Sequence, residues 1–207
     1  MKADLRLYLA TDSAYCAGED IVSVVACCIA RGVTAVQLRD KQASSAELYE
    51  LGKRLLAVTR PLGVPLIVND RVDIMLALGA DGVHVGKKDL PLPEARRLAP
   101  GAILGYTAKT AADIRHAEQH GADYVGIGPV FSTSTKPCAG PVLGPAGVGK
   151  LAAQSDIPSV GIGGIDERNV TQLADAGLSG VCVISGILDQ PDPAEAASLI
   201  RWLLEGE

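Results

Sequence analysis

Aromatic side chains are scarce in this sequence: one Trp, one Phe and five Tyr among 207 residues. The charge is also thin on the basic side, with 19 Lys plus Arg against 24 Asp plus Glu and a net charge of −5. A nucleic-acid binder needs a basic stripe or a set of stacking rings, so that class is excluded. Long apolar runs are missing too. The most apolar stretch, residues 21–30, is bounded by Asp20 and Arg31, whereas a membrane span needs about 20 such residues; it reads as a buried helix. Lys2, Asp4 and Arg6 interrupt any apolar signal-peptide region. Five cysteines form no C-x-x-C, and the adjacent Cys27 and Cys28 point in different directions on a helix. Reduced thiols packed as small hydrophobes, in a cytoplasmic protein, are the expectation. Histidines number three and make no metal constellation. His116 and His120 fall on a helix face toward solvent, and His84 sits within a strand as a buried, hydrogen-bonded residue. No nucleophile with an adjacent base stands out.

What is present is apolar residues, 48% of the chain, with 23 glycines and 12 prolines. This is far from the composition of a disordered chain. Short β-like runs alternate with helical patterns: 6–12, 35–40, 65–70, 82–86, 102–107, 124–129, 158–164 and 180–185. Helical spacing marks 46–58, 111–120, 170–176 and 193–204 between and after them. Three junctions resemble one another: GADGVHVG (79–86), GADYVGIG (121–128) and GLSGVCVI (177–184). Each reads as a helix-ending glycine, a two-residue turn and a buried strand. The fold class is therefore α/β, a single (β/α)8 TIM barrel spanning 1–207 as one domain. At about 26 residues per repeat it lies near the lower size limit of that fold. So few aromatics imply a barrel interior filled by Val, Ile, Leu and Ala. Residues 129–145, PVFSTSTKPCAGPVLGP, break the rhythm. So long an aperiodic loop in a compact domain points to function.

A barrel of this kind builds its site after the C-terminal ends of its strands. There the sequence offers Gln37, Arg39 and Lys41 after strand two, with alternation sending Gln37 and Arg39 inward. Asn69 and Asp70 end strand three, Lys87, Lys88 and Asp89 follow strand four, and Tyr106 and Thr107 end strand five. The long loop brings Thr133, Thr135 and Lys136; Gly163, Gly164, Ile184 and Ser185 end the last two strands. Cations beside two carboxylates suit a polyphosphate held with Mg²⁺, and the glycine pair with Ser185 suits a phosphate cradle. Plainer readings stand beside these. Asp70 can cap a helix starting near Val72, Asp89 one starting at Leu90 or Pro91, and Lys87 and Lys88 can be solvated charges. The joint placement of the set favours the functional reading.

The motifs QLRDK (37–41), VND (68–70), DGVHVG with Asp89, GPVFSTSTK (128–136), GPVLG (140–144), VGIGGI (160–165) and VISGI (183–187) resemble the thiamine phosphate synthase family. The resemblance implies a cytoplasmic transferase that condenses a pyrimidine diphosphate with a thiazole phosphate, releasing pyrophosphate. It implies Arg39, Lys41 and Lys136 as catalytic residues. Gln37, Leu38, Arg39, Asp40, Lys41, Asn69, Thr107 and Lys136 would bind the pyrimidine diphosphate. Thr133, Ser134, Thr135, Gly164, Ile184 and Ser185 would bind the thiazole phosphate, and Asp70 and Asp89 would hold Mg²⁺. The expected mechanism is dissociative. The partners are these small molecules, with no nucleic acid and no membrane; a homo-oligomer is left open. Two positions depart from the family pattern: Lys87 replaces the usual Gln, and Thr107 the usual Ser.

The rivals are a thiazole tautomerase of the same superfamily, which needs no diphosphate site, and a non-catalytic thiamine-precursor-binding barrel. A third is another phosphate-handling barrel such as a sugar-phosphate isomerase. Asp70, Asp89, Arg39, Lys41 and Lys136 together weigh against all three.

Overall fold

The aliphatic and β-branched runs become strands because each can be buried on both faces, as a parallel sheet covered by helices requires. In the computed structural model, which describes residues 3–16, 18–135 and 140–206, there are eight: β1 Leu7–Ala10, β2 Ala35–Leu38, β3 Leu66–Asn69, β4 Gly82–Val85, β5 Ile103–Ala108, β6 Tyr124–Ile127, β7 Ser159–Ile162 and β8 Gly180–Val183. Each pairs in parallel with its neighbours in sequence, and β8 returns to β1, closing the barrel. All eight lie inside the expected runs except for Ala108, one residue past the run that yields β5.

The covering helices are α1 Ile21–Ala30, α2 Ser45–Thr59, α3 Val72–Leu78, α4 Leu92–Leu98, α5 Ala111–Gln119, α6 Gly144–Ala152, α7 Ser185–Leu188 and α8 Pro193–Glu205. Their starts are chemically marked. Ser44 with Glu47 and Thr110 with Asp113 form reciprocal capping boxes, and the Asp20 and Asp192 carboxylates cap α1 and α8. No helix is long and apolar enough to cross a membrane among the described residues.

The repeated GAD junctions have one physical meaning. Gly79 and Gly121 take positive φ at the helix ends, and the aspartate two residues on anchors the preceding strand. Asp81 accepts from the Leu66 backbone N–H at 2.8 Å, and Asp123 from that of Leu104 at 2.8 Å. The third junction differs. The helix expected over 170–176 is only a 3₁₀ turn, Val170–Leu173. Val170 and Thr171 are adjacent β-branched residues of low helix propensity, and the Asp166 carbonyl accepts from both Asn169 and Val170.

Period-two alternation separates two cores. Leu7, Leu9, Val36, Leu38, Val68, Val83 and Val85 face outward into the layer beneath the helices. Tyr8, Ala35, Ile67, Tyr124 and Val160 pack inside the barrel with Leu5. The interior is thus not purely aliphatic: two of the few aromatics, Tyr8 and Tyr124, stand at its centre, each about 1% exposed. Glycine makes room for them. A Cβ at Gly105 would lie 2.2 Å from Tyr124 Cζ and 2.5 Å from His84 Nδ1. The cysteines are free thiols in the described residues, with Cys16 and Cys28 buried, Cys182 partly so and Cys27 exposed; Cys138 lies outside those residues. Burial raises the Cys28 and Cys182 thiols to about 12, where they are unreactive. His116 and His120 are half-buried and stack on each other at 4.3 Å, with His116 also against Tyr106.

Candidate active site

At the C-terminal end of the strands the inward side chains stop meeting, and a cavity of about 920 Å³, its open mouth included, takes their place. Its wall includes Gln37, Arg39, Asn69, Thr107, Thr133, Thr135, Gly164, Ile184 and Ser185. These nine expected residues lie on β2, β3 and β5, just after β2 and β8, at the start of α7, and in the loops after β6 and β7. The alternation argument for Gln37 and Arg39 holds, since both are buried and line the cavity.

Arg39 does not stand as an isolated cation. Its guanidinium pairs with the Asp12 carboxylate from the end of β1, and both are largely buried. The Arg39 main chain is clamped by Thr11, whose hydroxyl donates to the Arg39 carbonyl and accepts its N–H at 2.9 Å each. Lys41 likewise reaches Asp70 in an ion pair. The strand-two cations are therefore already balanced by carboxylates. Sequence spacing missed Asp12 because its partner is distant in sequence and adjacent only through β1–β2 pairing.

Asp70 and Asp89 meet at the rim. Neither caps a helix: α3 has Arg71 as its cap and α4 has Pro91, without side-chain capping bonds. Asp70 instead turns the chain at φ 61°, a left-handed conformation found at no other non-glycine residue among those described, and such strain concentrates at functional sites. Asp89 folds back to accept the Gly86 N–H at 2.8 Å. Burial alone would raise the Asp70 carboxyl, but hydrogen bonding and charge from Lys41 outweigh it and hold the group below the usual carboxylate range. Burial, reinforced by neighbouring Asp70, raises Asp89. Among the described residues no cluster of three or more His, Cys, Asp or Glu could hold a metal. Two hard oxygen donors of like charge at an open rim do fit Mg²⁺, which takes one or two carboxylates and keeps waters or phosphate oxygens for the rest.

The opposite rim presents hydroxyl groups among the described residues. Tyr15 donates to Thr135 Oγ1 at 3.2 Å, and Thr135 lies 3.4 Å from Ser185 Oγ, tying together the ends of β1, β6 and β8. Gly163 and Gly164 take φ of 97° and 69°, and a Cβ at Gly164 would lie 2.4 Å from the Ser132 carbonyl oxygen. The helix beside this cradle is α7, directly after β8, because the segment after Gly164 is the 3₁₀ turn.

Three other expected residues stand away from both the wall and the rim. Leu38 is 1% exposed and packs in the outer core. The Asp40 carboxylate accepts from the N–H groups of Gln42 and Ala43. Ser134 is exposed. Lys136 lies outside the described residues. Lys87 and Lys88 are exposed, as solvated charges. Conversely, the wall contains Tyr8, His84, Tyr124 and Lys109, which the motifs had not marked. For one of them a register signal was available: Lys109 stands two residues after Thr107, just past the end of β5. His84 is buried and hydrogen-bonded as expected, with Thr107 Oγ1 at 2.9 Å.

Comparison with known proteins agrees with this architecture. The family model for thiamine monophosphate synthase matches residues 7–187. The thiamine-phosphate synthase of Desulfitobacterium hafniense (strain Y51) is 43% identical over 198 residues, 95% of this chain and 96% of the relative. That of Chloroflexus aurantiacus is 42% identical over 201 residues, covering 97% and 93%. The solved structure of thiamine phosphate pyrophosphorylase from Pyrococcus furiosus superposes with a TM-score of 0.90 at 36% identity, covering 99% of this chain and 98% of that one. With its eight-stranded barrel and these full-length likenesses, the chain belongs to the thiamine monophosphate synthase family.

Proposed function

We propose that this barrel is a transferase that joins 4-amino-2-methyl-5-(diphosphooxymethyl)pyrimidine to a thiazole phosphate, giving thiamine phosphate and pyrophosphate. The observation that carries the reading is one cavity with two unlike rims, each chemically suited to an anion. One rim bears Arg39, Lys41 and the Asp70–Asp89 pair; the other bears the Gly163–Gly164 turn, Thr135 and Ser185.

Asn69, Arg39, Lys41 and Lys136 bind the diphosphate, while Gln37 and Thr107 lie deeper and hold the pyrimidine. Leu38 and Asp40 contribute through their main chain, since their side chains are engaged elsewhere. Thr133, Ser134 and Thr135 orient the thiazole, and its phosphate rests on Gly164, Ile184 and Ser185. Asp70 and Asp89 hold Mg²⁺, which when bound supplies charge neutralisation to the diphosphate. The carbon–oxygen bond to pyrophosphate breaks first, and the electron pair leaves with pyrophosphate. Arg39, Lys41 and Lys136 stabilise the negative charge on that leaving group. The thiazole nitrogen then attacks the pyrimidine methylene cation. No general base or nucleophile from the protein is needed, which suits a cavity whose wall cysteine, Cys182, is a high-pKa thiol. One barrel domain of the cytoplasm suffices for this chemistry.

The test is an assay of the purified protein with both substrates, with and without Mg²⁺, following thiamine phosphate by fluorescence after oxidation. Product that requires both substrates is the expected result. A folded protein that makes none would overturn the proposal.

A further inference from the structure

Beneath the cavity runs an unbroken line of buried hydrogen bonds. Gln37 Nε2 donates to the Tyr8 hydroxyl at 2.8 Å. That hydroxyl lies 3.1 Å from the Tyr124 hydroxyl, which lies 2.9 Å from His84 Nδ1, and His84 Nε2 lies 2.9 Å from Thr107 Oγ1. The line crosses the barrel from β2 to β5, and both of its ends line the cavity.

Counting protons along it gives a direction. An amide nitrogen has only donors to offer, so the Tyr8 oxygen accepts from Gln37. A neutral phenol has one proton, and the order that leaves neither phenol proton unpaired along the line has Tyr8 donating to Tyr124 and Tyr124 to His84 Nδ1. The phenols are neutral: burial, the largest influence on each, raises both well above the ordinary tyrosine value. In the tautomer with Nδ1 accepting, the His84 proton is on Nε2 and is donated to Thr107. Thr107 Oγ1 thereby serves as an acceptor inside the protein, which leaves its own proton available to a ligand. At the other end Gln37 Nε2 is engaged, which leaves the amide oxygen, Oε1, as an acceptor without a donor among the described residues.

We infer that the Gln37–Tyr8–Tyr124–His84–Thr107 line is a proton-ordered relay that selects an aminopyrimidine over the corresponding oxopyrimidine. The inference rests on the pyrimidine diphosphate reading above. An aminopyrimidine presents an exocyclic N–H donor and a ring-nitrogen acceptor, the complement of Gln37 Oε1 and the Thr107 hydroxyl. The oxo form presents a carbonyl oxygen and a ring N–H, so lone pair faces lone pair at Gln37 and proton faces proton at Thr107. A buried site whose polar groups have fixed roles discriminates strongly, because the wrong ligand leaves them unpaired. Tyr8, Tyr124 and His84 act here as positioning residues that never touch the ligand's reacting atoms. Gly105 and Gly126 keep the line intact: a Cβ at Gly126 would meet His84 Cε1 at 3.2 Å, and one at Gly105 would overlap Tyr124.

The experiment compares kcat/KM for the 4-amino pyrimidine diphosphate and its 4-oxo analogue, in the wild type, Tyr124→Phe and Tyr8→Phe. Either substitution removes one hydroxyl and frees the remaining hydrogens to reorient. The wild type is expected to prefer the amino compound by about 100-fold or more, and each variant to narrow that preference by about tenfold or more. Inhibition by inorganic pyrophosphate and the KM for thiazole phosphate stay within about twofold, a separation that general damage to the barrel would not produce. If one variant fails to fold, the other decides; if both fail, equal affinity of the wild type for the two pyrimidines overturns the relay. An unchanged preference in a folded variant, or a parallel shift in all the parameters, overturns it as well. Wild-type protein that turns over neither pyrimidine removes the proposed function, and the relay with it. Turnover of the amino compound with preference unaltered in the variants removes the relay alone.

Discussion

The Arg39 guanidinium and the Asp12 carboxylate form an ion pair between the ends of β2 and β1, with side-chain exposures of 7% and 12%. Removing one partner strands the other charge in a poorly solvated place. Asp12→Ala is expected to lower the stability of the barrel by about 3–5 kcal/mol, read by urea unfolding. Asp12 also accepts from the Ala14 N–H at 3.2 Å, so the loop after β1 should loosen with it. A change below about 1 kcal/mol would mean that Arg39 finds another partner, as in exposed pairs.

The rim carboxylates and the cations should separate by function. Asp70→Ala and Lys136→Ala are each expected to cut kcat/KM by about 100-fold or more, as for loss of a group that stabilises leaving-group charge. Lys88→Ala, at an exposed position, should change it less than about twofold. Steady-state kinetics at saturating Mg²⁺ reads both; a large loss from Lys88→Ala with a mild one from Lys136→Ala would place the diphosphate elsewhere.

Gly164 has φ +69° and no room for a side chain beside the Ser132 carbonyl. Gly164→Ala is expected to raise the KM for thiazole phosphate by about tenfold or more, since backbone displacement there moves the phosphate cradle. The KM for the pyrimidine diphosphate, most of whose proposed contacts lie on or just after β2, β3 and β5, should move far less. Equal changes in both would point to a general collapse of the mouth.

Asp40 provides the pH test. Burial pulls its pKa up, but hydrogen bonds from Ser13 and from the Gln42 and Ala43 N–H groups outweigh it and set it below the ordinary value of 3.8. A carboxyl whose folded pKa is depressed adds stability above its unfolded pKa, and that stability is lost as pH falls through the folded value. Asp40→Asn is therefore expected to lower Tm near neutral pH, by an amount that shrinks as pH falls below 3.8. A Tm difference that is the same at neutral and at acid pH would show that the carboxylate's charge is not what holds the loop.

Much of this was legible along the chain. The strands lie within runs defined by apolar patterning, apart from Ala108, and α1, α2, α5 and α8 fall near where an apolar run or helical spacing places them. Those signals are local: a side chain's period and a cap's hydrogen bond are set by neighbours within a few residues. The same holds for Gln37 and Arg39, whose inward direction follows from alternation once the strand is known. The helix over 170–176 failed because apolar spacing was read without the low helix propensity of Val170 and Thr171. The capping role open to Asp70 failed because its partner Lys41 is 29 positions away and meets it only when the rim closes; Asp89 instead turns back to the Gly86 N–H, a local alternative that the reading of helix starts did not weigh.

The sequence by itself determined the repeated βα unit, the closed parallel barrel and the end of it that carries polar groups, since each follows from periodicity, glycine placement and chain order. Only the tertiary structure decided which charges neutralise one another and what fills the barrel. Asp12 with Arg39, Lys41 with Asp70, and Tyr8 with Tyr124 and His84 are pairings between residues 27 to 116 positions apart. Hydrogen bonds and ion pairs act over a few ångströms in space, and no local pattern encodes such a distance until the barrel has closed.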